Sequence, residues 1–185
     1  MGGISSSVIS NEKEYVVKTK EGSNDDEFMI TRHCNFLNPI NVINIYGEIE
    51  SRVKEKDIEN RWMRIYEEIV KIEKRKEGCI ILGDLNKHIG SDNLGVKNNH
   101  PKISFGGELV IALLAEGDYI CLNNHPSTVG GPFTREDPSD PSRLSCLDLV
   151  NISRSLLPYF ESMFIDSGRK YSPVRPISKN ISRTL

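Results

Sequence analysis

A change of apolar period between residues 40 and 82 limits the possible folds of this chain more than any other feature. Ile40-Asn41-Val42-Ile43-Asn44-Ile45-Tyr46 is short and rich in β-branched residues, and reads as a strand ending at Gly47. From Glu55 to Glu77 the period becomes helical. Ile58, Trp62, Ile65, Ile69 and Ile72 recur at steps of four, three, four and three, which makes one apolar face. Glu59, Arg61, Arg64, Glu67, Glu68, Lys71 and Lys74 form the other, a mixed-charge solvated face. Gly78 is expected to stop this helix. Cys79-Ile80-Ile81-Leu82 then reads as a buried strand. Strand, crossover helix, strand predicts an α/β fold with the helix on one face of a sheet.

The buried strand runs into Gly83-Asp84-Leu85-Asn86. On extended chain, side chains two residues apart point the same way, so Asp84 and Asn86 would be offered together at a strand mouth. A carboxylate beside an amide can accept a proton, hold a divalent cation through oxygen, or donate to an anion. The same two residues are also common turn formers.

The remaining segments follow one rhythm. Tyr15-Val16-Val17 and Phe28-Met29-Ile30 read as strands, separated and followed by polar turns. Glu108 to Glu116 reads as a second helix with Leu109, Ala112 and Leu113 inward, and Tyr119 to Leu122 as a strand ending at Asn123. Phe133-Thr134-Arg135 suggests a short strand in a Gly- and Pro-rich stretch. Leu144 to Ile152 reads as one strand carrying Asp148, and Leu156 to Ile165 as one further short element. Residues 1–166 are assigned to one domain, and residues 167–185 to a basic, Pro-containing segment.

Composition excludes some classes. A net charge of -2 gives no global electrostatic case for nucleic acid or membrane. Cys34, Cys79, Cys121 and Cys146 form no C-x-x-C pair and no zinc spacing with the four histidines, so reduced thiols and an intracellular, nuclear or cytoplasmic, setting are expected. No apolar run reaches membrane-span length, and no membrane partner is expected. Met1-Gly2-Gly3-Ile4-Ser5-Ser6 fits the loose N-myristoylation pattern, which alone supports only a lipid-anchored interaction module.

Four pieces in order carry a family resemblance: Asn44-Ile45-Tyr46-Gly47 followed by the Trp62 helix; Ile81-Leu82-Gly83-Asp84-Leu85-Asn86 with His88-Ile89-Gly90; Gly106-Gly107 to Asn123; and Ser145-x-x-Asp148. Together they resemble the endonuclease/exonuclease/phosphatase superfamily, and within it the endonuclease domain of non-LTR retrotransposons, related to apurinic/apyrimidinic endonucleases. The resemblance implies a sandwich of two mixed β-sheets flanked by helices. It implies hydrolysis of a phosphodiester, with DNA as substrate and Mg2+ or Mn2+ as cofactor, and a reverse transcriptase region as partner in an intact element. It implies that Asp84 orients or deprotonates water and that Asn86 holds a phosphate oxygen or joins Asp84 at the metal. Tyr46 would donate to the phosphate, and Asp148 would buttress a histidine. For Asn123 only a structural role is expected.

Two parts of the family pattern are missing. Its metal-binding glutamate lies in a Gln-Glu motif, and this sequence has no glutamine. Its closing Asp-His pair lacks a counterpart, since no histidine follows His125. His88 is a loop residue of the family and no substitute. The chain thus reads as the middle and later part of such a domain, with a catalytically inactive remnant as the alternative to an active hydrolase.

Overall fold

The computed structural model describes residues 28–33, 36, 38–90, 102–131, 133–137, 140–165 and 177–181. The myristoylation pattern and the expected strand at Tyr15-Val16-Val17 lie outside them. The elements in order are β1 (Phe28–His33), β2 (Ile40–Tyr46), a 3-10 turn (Glu50–Arg52), α1 (Glu55–Lys74), β3 (Gly78–Asp84) and α2 (Phe105–Glu116). There follow β4 (Tyr119–Cys121), β5 (Thr128–Gly130), β6 (Arg135–Asp137), β7 (Asp140–Ser145) and β8 (Asp148–Ser153). A second 3-10 segment (Arg154–Tyr159), β9 (Phe160–Ile165) and β10 (Ile177–Ile181) end the series.

Five strands form the main sheet, in the order β1-β2-β3-β8-β4. Only β2 and β3 are parallel in it, and α1 is their crossover, as the sequence predicts. Three strands, β10-β9-β5, form a second sheet, and β6-β7 a hairpin. The main sheet is apolar on both faces. Ile43, Ile45, Ile81 and Leu149 pack with Ile58, Trp62, Ile65 and Ile69 of α1 and with Val110 and Leu114 of α2. On the other face Ile40, Ile80, Val150 and Ile152 meet Met163 and Ile165 of β9. The result is a sandwich of two mixed sheets with helices on one outer face, the fold class expected from sequence.

Local expectations are corrected in four places. Helix α1 ends at Lys74, and the left-handed residue after it is Lys76 (φ 57°), not Gly78. Lys76 N–H donates to the Glu73 carbonyl and Glu77 N–H to the Ile72 carbonyl, which satisfies the last turn without glycine. Gly78 instead opens β3, where a Cβ would sit 2.8 Å from a Leu156 methyl. Helix α2 begins at Phe105, capped by Ser104 Oγ, which accepts from Gly107 N–H. Its buried face is Gly106, Gly107, Val110, Leu113 and Leu114, so Ala112 is exposed and Leu109 only partly covered. The glycines set this rotation: a Cβ on Gly107 would lie 2.1 Å from the His88 carbonyl oxygen. The single strand expected over Leu144 to Ile152 is two, β7 and β8, broken at Cys146-Leu147. The short strand placed at Phe133-Thr134-Arg135 starts only at Arg135, because Thr134 turns inward to that break.

Candidate active site

The register of the main sheet builds the site. Tyr46 ends β2 opposite Asp84, which ends β3, and Asp84 in turn lies opposite Asp148, which begins β8. Register partners share a sheet face, so a tyrosine and two carboxylates form one row at one end of the sheet. This is where the sequence places polar residues at strand ends.

Two glycines allow the row to form. Gly83 has φ 137°, and a Cβ there would fall 1.9 Å from the Ile45 carbonyl oxygen. A Cβ on Gly47 would fall 1.9 Å from the Leu85 carbonyl oxygen. Glycine thus lets the ends of β2 and β3, and the loops after them, touch backbone to backbone. Gly47 N–H donates to the Asp84 carbonyl (2.7 Å) and Leu85 N–H to the Leu147 carbonyl (2.9 Å).

Asn86 does not extend the strand. It takes φ 49°, and its N–H donates to Asp84 Oδ1 (3.0 Å), an Asx-type turn. Its side-chain Nδ2 donates to the Gly47 carbonyl (2.8 Å). The turn-forming and site-forming readings of Asp84 and Asn86 therefore describe one arrangement: the turn aims the carboxylate.

Asp148 is held from the opposite side. Thr134, a buried residue, accepts from Asp148 N–H (3.1 Å) and Leu147 N–H (3.0 Å) at Oγ1. Asn123 Nδ2 donates to the Asp148 carbonyl (2.8 Å), and Asn123 Oδ1 accepts from Val150 N–H (2.8 Å). Asn123 thus ties β4's end to β8, in keeping with a structural role.

Burial raises both acids. Asp148 is pushed up to about 6, first by burial and further by the Asp84 charge, against the Thr134 hydroxyl and Arg135. Asp84 is also raised by burial, against the Asn86 N–H and the positive charges of Arg135 and Lys87. Two neighbouring carboxylates, one of which raises the other's proton affinity, have oxygen lone pairs for a hard divalent cation. Among the described residues no cluster of three or more His, Cys, Asp or Glu surrounds a common point. Mg2+ commonly takes one or two carboxylates with water and substrate oxygens, so Asp84 with Asp148 fits such an ion in chemistry, with few protein ligands.

Behind the row lies a charged group that single residues did not reveal. Lys87 is fully covered, and its Nζ donates to the Glu48 carbonyl and to Glu48 Oε1, each at 2.8 Å. Arg61 of α1 pairs with the same Glu48 carboxylate. Glu50 Oε1 accepts from Ser104 Oγ (2.6 Å) and Gly106 N–H (3.0 Å) at the start of α2. The group fastens the loop after Tyr46 to the loop after Asp84. A lysine in a polar loop carries no local signal for burial, because its acidic partner Glu48 comes from another loop.

No family model and no curated protein matches the sequence. Solved structures do. The endonuclease domain of TRAS1, a telomere-specific non-LTR retrotransposon, superposes with a TM-score of 0.63 at 18% identity over 86% of this chain. The Xenopus laevis APE2 catalytic domain gives 0.65 at 16% over 84%, and the Neisseria meningitidis 3'-5' exonuclease NExo 0.62 at 16% over 91%. The chain spans 65% of the TRAS1 domain, 55% of the APE2 domain and 71% of NExo.

Proposed function

We propose that this chain, which has the endonuclease/exonuclease/phosphatase fold, carries a divalent-metal-dependent site for phosphodiester hydrolysis in DNA, of retroelement origin. The observation that carries the reading is the row Tyr46–Asp84–Asp148 at one sheet end. Asp84 and Asp148 would hold Mg2+ or Mn2+, with the Asn86 amide oxygen beside them. When bound, such an ion supplies Lewis acidity toward a phosphoryl oxygen. The chain's own groups do the rest. Asp84, raised by burial and aimed by the Asn86 N–H, orients water and accepts its proton. Tyr46 is 54% exposed at its strand tip, where its hydroxyl can donate to a phosphate oxygen. Asp148 would face the same ion from β8, in register with Asp84.

A second reading concerns rate. The chain has no glutamine, hence no Gln-Glu motif, no histidine after His125, and no three-ligand cluster among the described residues. The 185-residue chain on its own therefore acts weakly or not at all, as a remnant would. Losing a charge-stabilising group in such a site costs a few kcal/mol, and about 1.4 kcal/mol is tenfold in rate.

Two measurements on the same protein separate these readings. Millimolar Mg2+ or Mn2+ should raise the thermal midpoint of wild type at pH 7.5 and leave Asp84→Ala unmoved. Plasmid nicking should be slight in wild type and lost in Asp84→Ala. Robust nicking dependent on Asp84 would refute the remnant reading, whereas no metal response at all would refute the hydrolase reading.

A further inference from the structure

Resting on that hydrolase reading, we propose that Arg135 is the side chain that receives the substrate's phosphate at this site. Arg135 opens β6 in register with Ser145, three residues before Asp148. Its neighbour Thr134 is buried and clamped to the Leu147 and Asp148 N–H groups. That clamp fixes the backbone from which Arg135 projects, next to the start of β8. Its charge is felt by both Asp84 and Asp148.

The charge pattern leaves it a specific task. Two half-buried carboxylates repel a phosphodiester, so a cation must face the same space. Lys87 is enclosed with Glu48, and Arg61 pairs with Glu48 as well. The Arg135 side chain is exposed and makes no hydrogen bond or ion pair among the described residues. Its planar fork of donors suits two non-bridging phosphate oxygens at once. In the sequence Thr134-Arg135 reads only as part of a short strand, since the contact of Thr134 with Asp148 depends on the hairpin closing.

Anisotropy of a fluorescein-labelled 20-base-pair duplex, titrated with the whole chain in EDTA across a salt series, tests this. Arg135→Ala should weaken binding about tenfold at low salt and reduce the slope of log K against log salt by about 1, as loss of one phosphate contact does. Arg135→Lys should keep most of the slope. Arg154→Ala, which removes the exposed partner of Asp118, should match wild type. Asp84→Asn should tighten metal-free binding, and that gain should shrink when Arg135 is also alanine, because both face one phosphate. If Arg135→Ala behaves like Arg154→Ala while Mg2+ still stabilises wild type through Asp84, the role of Arg135 is overturned and the hydrolase reading stands. If wild type binds neither duplex nor Mg2+, both fall.

Discussion

Asp84 and Asp148 are legible as candidate site residues because each sits where an apolar strand run meets a polar residue. What that pattern does not show is their mutual register, which turns two separate carboxylates into a pair. The pair has a cost. With a folded value of about 6 against an ordinary 3.8, Asp148 holds its proton more tightly folded than unfolded. Its contribution to stability is therefore full below about pH 3.8 and is lost as pH rises through about 6. At pH 7.5 the ionised form costs about 2 to 3 kcal/mol, at about 1.4 per pKa unit. Asp148→Asn, which keeps the Thr134 contact to the backbone N–H, should raise the urea unfolding free energy at pH 7.5 by about that amount. At pH 4 it should change little. Equal effects at both pH values would show that ionisation is not the cause. Lys87 gives the opposite lesson at this scale. Its burial depends on Glu48, thirty-nine positions away in the chain, and no local pattern can state that pairing.

Elements are most legible where one period holds over many residues. Strand β2 and helix α1 begin where the sequence puts them because Ile, Trp and the solvated charges repeat without interruption. Helix α2 turns a different face inward from the one its apolar pattern predicts, because glycines carry no hydropathy signal although they pack closest. The break between β7 and β8 leaves no sign in the sequence for a related reason. Cys146 and Leu147 are apolar and buried, so they continue the strand's composition while their N–H and side-chain contacts leave its ladder. The glycine that matters most for the candidate site is Gly83, which lies inside β3 against the Ile45 backbone of β2. Gly83→Ala meets both a left-handed backbone and a carbonyl at 1.9 Å. Neither can relax without parting β2 from β3. The expected loss is at least about 3 kcal/mol, read by urea denaturation, together with loss of the Mg2+-induced thermal shift. Gly78→Ala meets only the flexible end of Leu156 and should cost less. The reverse order would contradict the backbone-contact argument.

Across the whole molecule, acids are shifted in both directions, and their sum sets the pH of greatest stability. Glu77 is lowered to about 2, first by the Arg32 guanidinium, with Asn41 and Arg75 helping against burial. Glu48 is resisted by burial but lowered on balance by Lys87, its own N–H and Arg61. Stability from these lowered acids is present above their ordinary values and is lost as pH falls through the folded ones. Asp84, Asp148 and Glu73 are raised, chiefly by burial, and their contribution is lost as pH rises. The falling limb from Glu77 runs from about 4.5 down to about 2, and the one from Asp148 from about 3.8 up to about 6. Urea midpoints measured from pH 3 to 8 should therefore peak near about pH 4 to 5, below the usual range for a globular protein. Glu77→Gln should flatten the acid side, and Asp148→Asn should move the peak toward neutrality. Millimolar Mg2+ should also flatten the upper limb in wild type but not in Asp84→Ala, because only ionised carboxylates gain from the cation. A peak at neutral pH in metal-free wild type would mean that the row of acids at the sheet end is well solvated, and the case for a built metal site there would lose its electrostatic support.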